Sequence, residues 1–418
     1  MKTIDTFFSR IFLLLILVTG ALPLAAQDEA FFTVSGLVRD QNSRRPLANV
    51  TVSVPHSPVG TITNTDGTFV LKIRHGLHAE TIEFSHLGYM RHMLPVAGED
   101  MANVVVALSE SQQVLGDVVV YNEDPMMLVE EAIRRIGNNY RNNTNMLTGF
   151  YRETVQKRQQ YINIAEAVME VYSTPYENTS RGDRTRILKG RSLVSTKAAD
   201  TLAVKLQGGP NTYIFGDIMK NPELVFDLRN LHYYRYQMEN PVMIDEKPHY
   251  VVSFYPAVTI QDQVLFVGQL YIDRATLTVS RAEYGLDMSN PNKVTQAILR
   301  SKPGSLRFNP DDMNYVAQYR ERDGRSYLYY VRNSIRFRCD WRRRLFRTNY
   351  TVVAEMVITD SNEDEAVLIP VRQMFRPHES LSDRVSDFYD PNFWEAYNII
   401  EPTESLESAV DRLRKQRE

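Results

Sequence analysis

Between Val34 and Tyr89 the chain is written in short runs that alternate apolar and polar residues, each run closed by turn chemistry. Val50, Val52 and Val54 share one side, with Thr51 and Ser53 on the other. Phe69, Leu71 and Ile73 alternate with Val70 and Lys72, and Ile82 and Phe84 alternate with Thr81, Glu83 and Ser85. A period of two excludes an amphipathic helix and puts one face of each run inside. Asp66-Gly67 supplies the positive φ a tight hairpin needs, and Pro46 fixes the chain ahead of the second run. Strands this short at such regular spacing predict a small antiparallel β-sandwich.

The residues along this block resemble the carboxypeptidase-like regulatory domain, a transthyretin-like (prealbumin-like) or Ig-like sandwich. The resemblance rests on Gly36, Val38, Asp40, Pro46-Leu47, Asn49-Val50, Gly60-Thr61, Thr63, Asp66-Gly67, Phe69, Phe84-Ser85 and Gly88-Tyr89. It implies an accessory module of the kind found in envelope proteins of Bacteroidota. It does not imply peptidase activity.

The first residues read as an export signal. Lys2 and Arg10 give a positive start, Ile11–Val18 is unbroken and apolar, and Ala25-Ala26 offers small residues for cleavage before Gln27. A membrane span needs about 20 apolar residues, and this run is shorter. The expected address is therefore the periplasm, or the periplasmic side of the outer membrane. The formal charge is −3, and losing Lys2, Asp5 and Arg10 leaves −4, which argues against a general nucleic-acid binder. Cys339 is the single cysteine, so an internal disulfide is excluded and a small buried apolar role is expected.

Five regions are expected: a signal peptide at 1–26, the sandwich at 31–110, a linker strand and helix at 111–145, an antiparallel β domain at 146–375, and an extension with a terminal helix at 376–418. Val118–Val120 reads as the linker strand. Asp124 caps the following helix and Pro125 suits its first position. Leu128, Val129, Ala132, Ile133, Ile136 and Tyr140 form one apolar stripe, a packing face rather than a partner groove. Strands are expected at Tyr233–Met238, His249–Tyr255, Val264–Ile272, Thr276–Tyr284, Tyr315–Arg320, Ser326–Phe337 and Asn349–Ile358, with a hairpin turn at Asp323-Gly324. Ser180–Ala198 reads as a surface loop or hairpin edge, and Asp217–Leu228 as helical up to an interruption at Pro222. The strand–turn–strand phrase Val264–Tyr284 resembles the half-barrel of periplasmic lipoprotein-carrier proteins, which implies a curved sheet over an apolar cavity. In the tail, Phe393-Trp394 and Tyr397 are anchors, and Leu406, Val410 and Leu413 form one side of a last helix.

Motifs for chemistry are absent from the sequence. It contains no H-E-x-x-H, no G-x-S-x-G, no G-x-x-x-x-G-K-[ST] and no G-x-G-x-x-G. Asn64–Gly67 lacks the spaced acids of a calcium loop and reads as a hairpin turn. Glu153 and Glu166 fall on neighbouring strands, where paired carboxylates would do acid–base work; strand-face charges are the plainer reading. The cluster Arg336, Arg338, Arg342, Arg343, Arg344 and Arg347 surrounds Trp341. It is the candidate contact for anionic headgroups or an acidic partner, against a solvated strand edge. The 23 tyrosines are expected mainly in the core, although rings also stack on sugars. Asp200-Thr201-Leu202 resembles a short O-glycosylation signal.

The sequence thus leads to a mainly β, non-catalytic binding or scaffold protein of the cell envelope, holding a lipid or acyl ligand or a protein partner. No cofactor, metal or nucleic acid is implied. The alternative is a hydrolase with an unrecognised site within 146–375.

Overall fold

The computed structural model describes residues 30–111, 123–178, 182–197, 204–206, 209–261, 263–341, 347–364, 366–376, 379–385, 393–395 and 397–416. The signal segment, Val118–Val120, Asp200–Leu202 and Arg342–Arg344 lie outside the described residues. The chain is mainly β.

Seven strands build the N-terminal unit: β1 (Phe31–Asp40), β2 (Thr51–Ser53), β3 (Gly60–Ile62), β4 (Thr68–Arg74), β5 (Thr81–Ser85), β6 (His92–Pro95) and β7 (Met101–Leu108). They form two facing sheets, β4-β1-β7 and β3-β2-β5-β6. The alternation seen in the sequence holds. Val50, Val52, Phe69, Leu71, Ile73, Ile82 and Phe84 close the core between the sheets. Gly67 has φ 75°, and a Cβ there would stand 2.6 Å from the Val38 carbonyl oxygen, so the turn needs a glycine on both counts. One expectation is corrected. The unit is not purely antiparallel, because β7 runs parallel to β1. The link from β6 carries the chain across from the other sheet, so β7 enters beside β1 in the same direction.

Helix α1 (Pro125–Arg134) follows, with Asp124 accepting the Met126 N–H at 2.9 Å, and a short turn of helix, α2 (Ile136–Asn139), ends at Tyr140. The predicted stripe is buried throughout. Next come β8 (Asn145–Lys157), β9 (Gln160–Ser173), β10 (Arg184–Val194), β11 (Lys205–Leu206) and α3 (Thr212–Phe215). After them come β12 (Tyr234–Ile244), β13 (Lys247–Pro256), β14 (Phe266–Asp273), β15 (Val279–Leu286), α4 (Pro291–Ile298) and β16 (Leu299–Ser301). The last strands are β17 (Leu306–Arg322), β18 (Arg325–Trp341) and β19 (Thr348–Asn362), before the terminal helix α5 (Glu404–Lys415). Ten of these strands form one open antiparallel sheet in the order β10-β9-β8-β19-β18-β17-β15-β14-β13-β12. Inside this sheet β8 is joined to β19, a pairing of distant segments that no local pattern announces.

The two faces of this sheet differ in chemistry. One carries Tyr151, Met169, Val252, Phe254, Leu270, Tyr284, Tyr319 and Met356. It is covered by the chain itself, through α1, α2 and the segment 209–231, whose Tyr213, Ile218, Met219 and Phe226 are buried against it. Phe226 and Phe254 meet edge to face at 4.7 Å. The stretch 217–228 is not the helix expected from its sequence. The Asp217 carboxylate and the Asn221 amide bind nearby backbone instead, and Pro222–Leu224 forms only a 3₁₀ turn.

The other face carries the polar members of each strand, including Arg152, Glu166, Arg332, Glu355, Gln269 and Glu283. The sandwich docks here. Tyr329 donates to the Thr61 carbonyl at 2.9 Å, Arg320 donates to the Val54 carbonyl at 3.2 Å, and Ile62 joins the core of the large sheet. The C-terminal extension fills the joint. Asn398 exchanges two hydrogen bonds with the Lys72 backbone, and Thr61 donates to the Ile399 carbonyl. Asn64 donates to the carbonyls of Glu401 and Pro402. Helix α5, capped by Thr403, then lays Leu406, Val410 and Leu413 over Ile164 and Leu193.

Candidate functional site

Three hairpin tips of the large sheet end beside the β2–β3 loop of the sandwich. Each tip has its own local cause. Asp245-Glu246 and Asp323-Gly324 both take positive φ at their two central residues, the geometry of a two-residue hairpin whose twist matches its strands. At the third tip Asp273 accepts from the Ala275 and Thr276 N–H groups at 2.8 and 2.9 Å and so holds the β14–β15 turn. The tips and the loop enclose a cleft of about 480 Å³ between the two units.

Charges and hydroxyls dominate its walls. Arg91 pairs with Glu83 at 3.2 Å and Lys247 with Glu321 at 2.8 Å, while Ser85 of the sandwich donates to Asp245. His249 is 1% exposed. Its Nδ1–H donates to the Lys247 carbonyl at 2.8 Å, because a carbonyl can only accept. That fixes the tautomer, and Nε2 accepts from the Ser280 hydroxyl at 2.8 Å. Burial holds the His249 pKa below its ordinary value, so the ring is neutral at pH 7. Arg320 reaches in from β17, and its buried Nη1 has no hydrogen-bond partner among the described residues. Strand register accounts for the meeting. His249 faces Asp273, Tyr271 faces Arg281 with Ser280 left at a bulge, and Arg281 faces Gln318 two residues before Arg320.

A second cavity, about 640 Å³, opens between Phe31, Lys72 and Arg74 of the sandwich and Thr148, Asp360 and Tyr397. Its cations are matched: Lys72 donates to the Glu395 carbonyl and Arg74 pairs with Asp360.

The residues singled out from sequence are placed as follows. Glu153 and Glu166 do not form a pair. Arg152 stands opposite Glu166 in the register and Glu153 opposite Ala165, so alternation sends the two acids to opposite faces. Glu166 is buried between Arg152 and Arg191, at 2.7 and 2.6 Å. Burial alone would raise its pKa, but the two guanidiniums outweigh it and hold the carboxyl below its ordinary value. Glu153 accepts from Tyr151 at 2.9 Å, and burial raises its pKa. Among the described arginines of the basic cluster, Arg336 pairs with Asp312, Arg338 with Asp311 at 2.8 Å and Arg347 with Asp340 at 3.8 Å. Asn64 and Asp66 hold the C-terminal extension rather than an ion, with Asp66 accepting the Glu404 N–H at 3.0 Å. Cys339 is buried in an apolar cluster, which pushes its thiol up to about 11. Among the described residues no group of three His, Cys, Asp or Glu side chains is placed to hold a metal. No helix there is long and apolar enough to cross a membrane.

His249, Ser280 and Arg320 were not singled out by sequence reasoning. They lie on three strands, and no spacing links them. The visible signal was the strand–turn–strand phrase around Asp273, which locates one tip but not its neighbours.

Comparison with known proteins agrees with the reading of the first unit. Residues 34–120 match the family model of the CarboxypepD_reg-like domain, and the N-terminal sandwich is a domain of that family. No curated protein matches the chain. Among solved structures, a domain described as an outer membrane lipoprotein-sorting protein from Vibrio parahaemolyticus aligns at 9% identity, covering 58% of this chain and 93% of that one, with a TM-score of 0.29. A LolA superfamily protein from Nitrosomonas europaea aligns at 11% identity, covering 62% of this chain and 100% of that one, with a TM-score of 0.25. The MucA/MucB complex of Pseudomonas aeruginosa aligns at 12% identity, covering 56% and 93%, with a TM-score of 0.17. Scores this low carry no inference about ligand or mechanism.

Proposed function

We propose that the protein is a binding or scaffold protein of the cell envelope, exported to the periplasm or the periplasmic side of the outer membrane, that receives a polar partner in the cleft between its two units. One observation carries this reading. The apolar face of the large sheet is occupied by the chain's own helices and the segment 209–231, whereas the cleft at the hairpin tips is open and lined from both units. Loops held on a rigid scaffold are where binding residues concentrate. The export signal at residues 1–26 supports the address. An acyl chain on the apolar face would first have to displace buried Tyr213, Met219 and Phe226. The arginines around Trp341 are a lesser contact in this reading, since Arg336, Arg338 and Arg347 already face aspartates.

The test is site-directed photo-crosslinking in the envelope of the cell of origin, with the reactive residue at Thr276 on the cleft rim and, as control, at Gly304 in open surroundings. A defined adduct from Thr276 and none from Gly304 is expected. Native mass spectrometry of the protein beginning at Gln27 runs beside it. A stoichiometric lipid together with a silent Thr276 would replace the cleft by the apolar face as the binding site.

A further inference from the structure

The geometry points to an acyl-transfer centre in the same cleft, with Ser280 as nucleophile, His249 as its base and Arg320 as the group that meets negative charge on the substrate oxygen. This goes beyond binding and assumes only that the cleft admits a ligand.

A serine hydroxyl is a weak nucleophile until a base lies within hydrogen-bond reach and is itself held in the right tautomer. Both conditions are met. Ser280 Oγ lies 2.8 Å from His249 Nε2, and the Lys247 carbonyl holds the proton on Nδ1. A backbone carbonyl does here the orienting that a carboxylate does in a three-residue arrangement. Ser280 is part-exposed in the cleft wall, on the bulge between Tyr271–Arg281 and Ile272–Val279. Bulges are places where a strand re-aims a side chain. Arg320 stands at the same end of the adjoining strand. It is held by the Val54 carbonyl and the Tyr329 ring, with one guanidinium nitrogen unpaired. A buried donor without a partner is a cost that a developing oxyanion would relieve. The sandwich has a part in this site, because Val54 fixes Arg320 and Pro55–Ser57 form one wall.

The substrate class follows from the walls. Charged and hydroxyl side chains leave no long apolar channel for a fatty chain. The fitting substrate is an ester of a short carboxylic acid on a polar, hydroxyl-rich body. Ser280 Oγ attacks the ester carbonyl carbon and its proton passes to His249 Nε2. The bond from that carbon to the alcohol oxygen breaks, and the alcohol departs with the proton from His249. Water then attacks the acyl-serine, His249 takes the water proton and returns it to Ser280 Oγ, and the carboxylic acid leaves.

The experiment uses the chain from Gln27 onward and a fluorophosphonate probe, read by intact mass and peptide mapping. One adduct, located at Ser280, is expected. Ser280→Ala abolishes it, and His249→Gln slows labelling by about 100-fold, the scale of a lost general base. Hydrolysis of p-nitrophenyl acetate falls in parallel, while thermal unfolding of both variants shows that they are folded. Arg320→Gln lowers kcat with KM little changed. Absence of an adduct at Ser280 in the folded protein, or labelling that His249→Gln leaves unchanged, overturns the centre. Either result leaves the cleft as a binding site, because the crosslink from Thr276 does not depend on Ser280.

Discussion

Asp217 lies under the apolar face, and among the described residues no cation pairs with it directly. It accepts from Tyr176 at 2.6 Å, from Tyr319 at 2.9 Å and from the Lys220 N–H at 3.2 Å, while the Lys220 ammonium is turned to Asp183 at 2.7 Å. Burial is the dominant effect and lifts its pKa from 3.8 to about 6, although the hydrogen bonds and Lys220 pull the other way. The folded state therefore binds this proton more tightly than the unfolded chain. Stability rises as pH falls through about 6 and the gain is complete below 3.8. At pH 7 the ionised group costs on the order of 3 kcal/mol. Asp217→Asn is expected to raise the denaturation midpoint at pH 7 to 8 and to flatten the profile between pH 7 and 5. Urea titrations across that range check it; an unchanged slope would show that Asp217 is not the titrating group. Glu166 has the opposite sign. Its lowered pKa contributes stability above 4.5 that disappears as pH falls through the folded value. Arg152→Met leaves Glu166 buried with Arg191 alone and removes the bond to the Ile400 carbonyl. The expected loss is about 3–5 kcal/mol at pH 7, read from denaturant midpoints, because an ion pair broken from one side strands a buried charge.

The elements fall into those the sequence announces and those it does not. Helix α5 was announced: Leu406, Val410 and Leu413 have helical spacing, acids stand early and Arg412, Arg414 and Lys415 late, in keeping with the dipole. Leu413→Ala is expected to cost about 2–5 kcal/mol, since Leu413 is buried against β9 and β10. A thermal melt that matches the parent would mean the helix is only loosely laid on. The strands β12 to β15 and β17 to β19 were likewise legible as alternation, and Asp323-Gly324 as a turn, whereas the three-residue β16 was not. The turns Arg158-Gln159 and Asp245-Glu246 were not, because they take positive φ without a glycine. Helix α4 escaped although its signal is present: Asn290 accepts the Lys293 N–H at 3.2 Å and Pro291 opens the helix. The cleft was illegible for a different reason. His249 and Ser280 are 31 residues apart on strands separated by a third, and a bulge at Ser280 decides where the hydroxyl points. Alternation tells which residues share a face, but register and bulges are set by partner strands.

On the scale of the whole molecule, the sandwich is both an independent core and a covering layer. Its own cluster from Phe32 to Leu108 is closed between its two sheets, yet Ile62 belongs to the core of the other unit. The joint is polar: Thr61, Asn64, Lys72 and Asn398 connect the sandwich to the C-terminal extension, which Arg152 grips from the sheet. A joint made of hydrogen bonds depends on geometry more than on buried area, and each such bond contributes roughly 0.5–1.5 kcal/mol. The two units are therefore expected to unfold together while the clasp is intact. The double variant Asn64→Ala/Asn398→Ala removes four of the side-chain bonds that hold the extension to the sandwich, namely those to Glu401 and Pro402 and the pair to Lys72, and leaves those of Thr61, Asp66 and the Lys72 ammonium. Calorimetry is then expected to resolve two transitions where the parent shows one. The sandwich would melt on its own core, and the cleft, which needs both walls, would lose its Thr276 crosslink before either unit unfolds. A single transition in the double variant, with the crosslink retained, would mean that Ile62, Tyr329 and Arg320, with the remaining bonds of Thr61, Asp66 and Lys72 to the extension, suffice to hold the sandwich on the sheet.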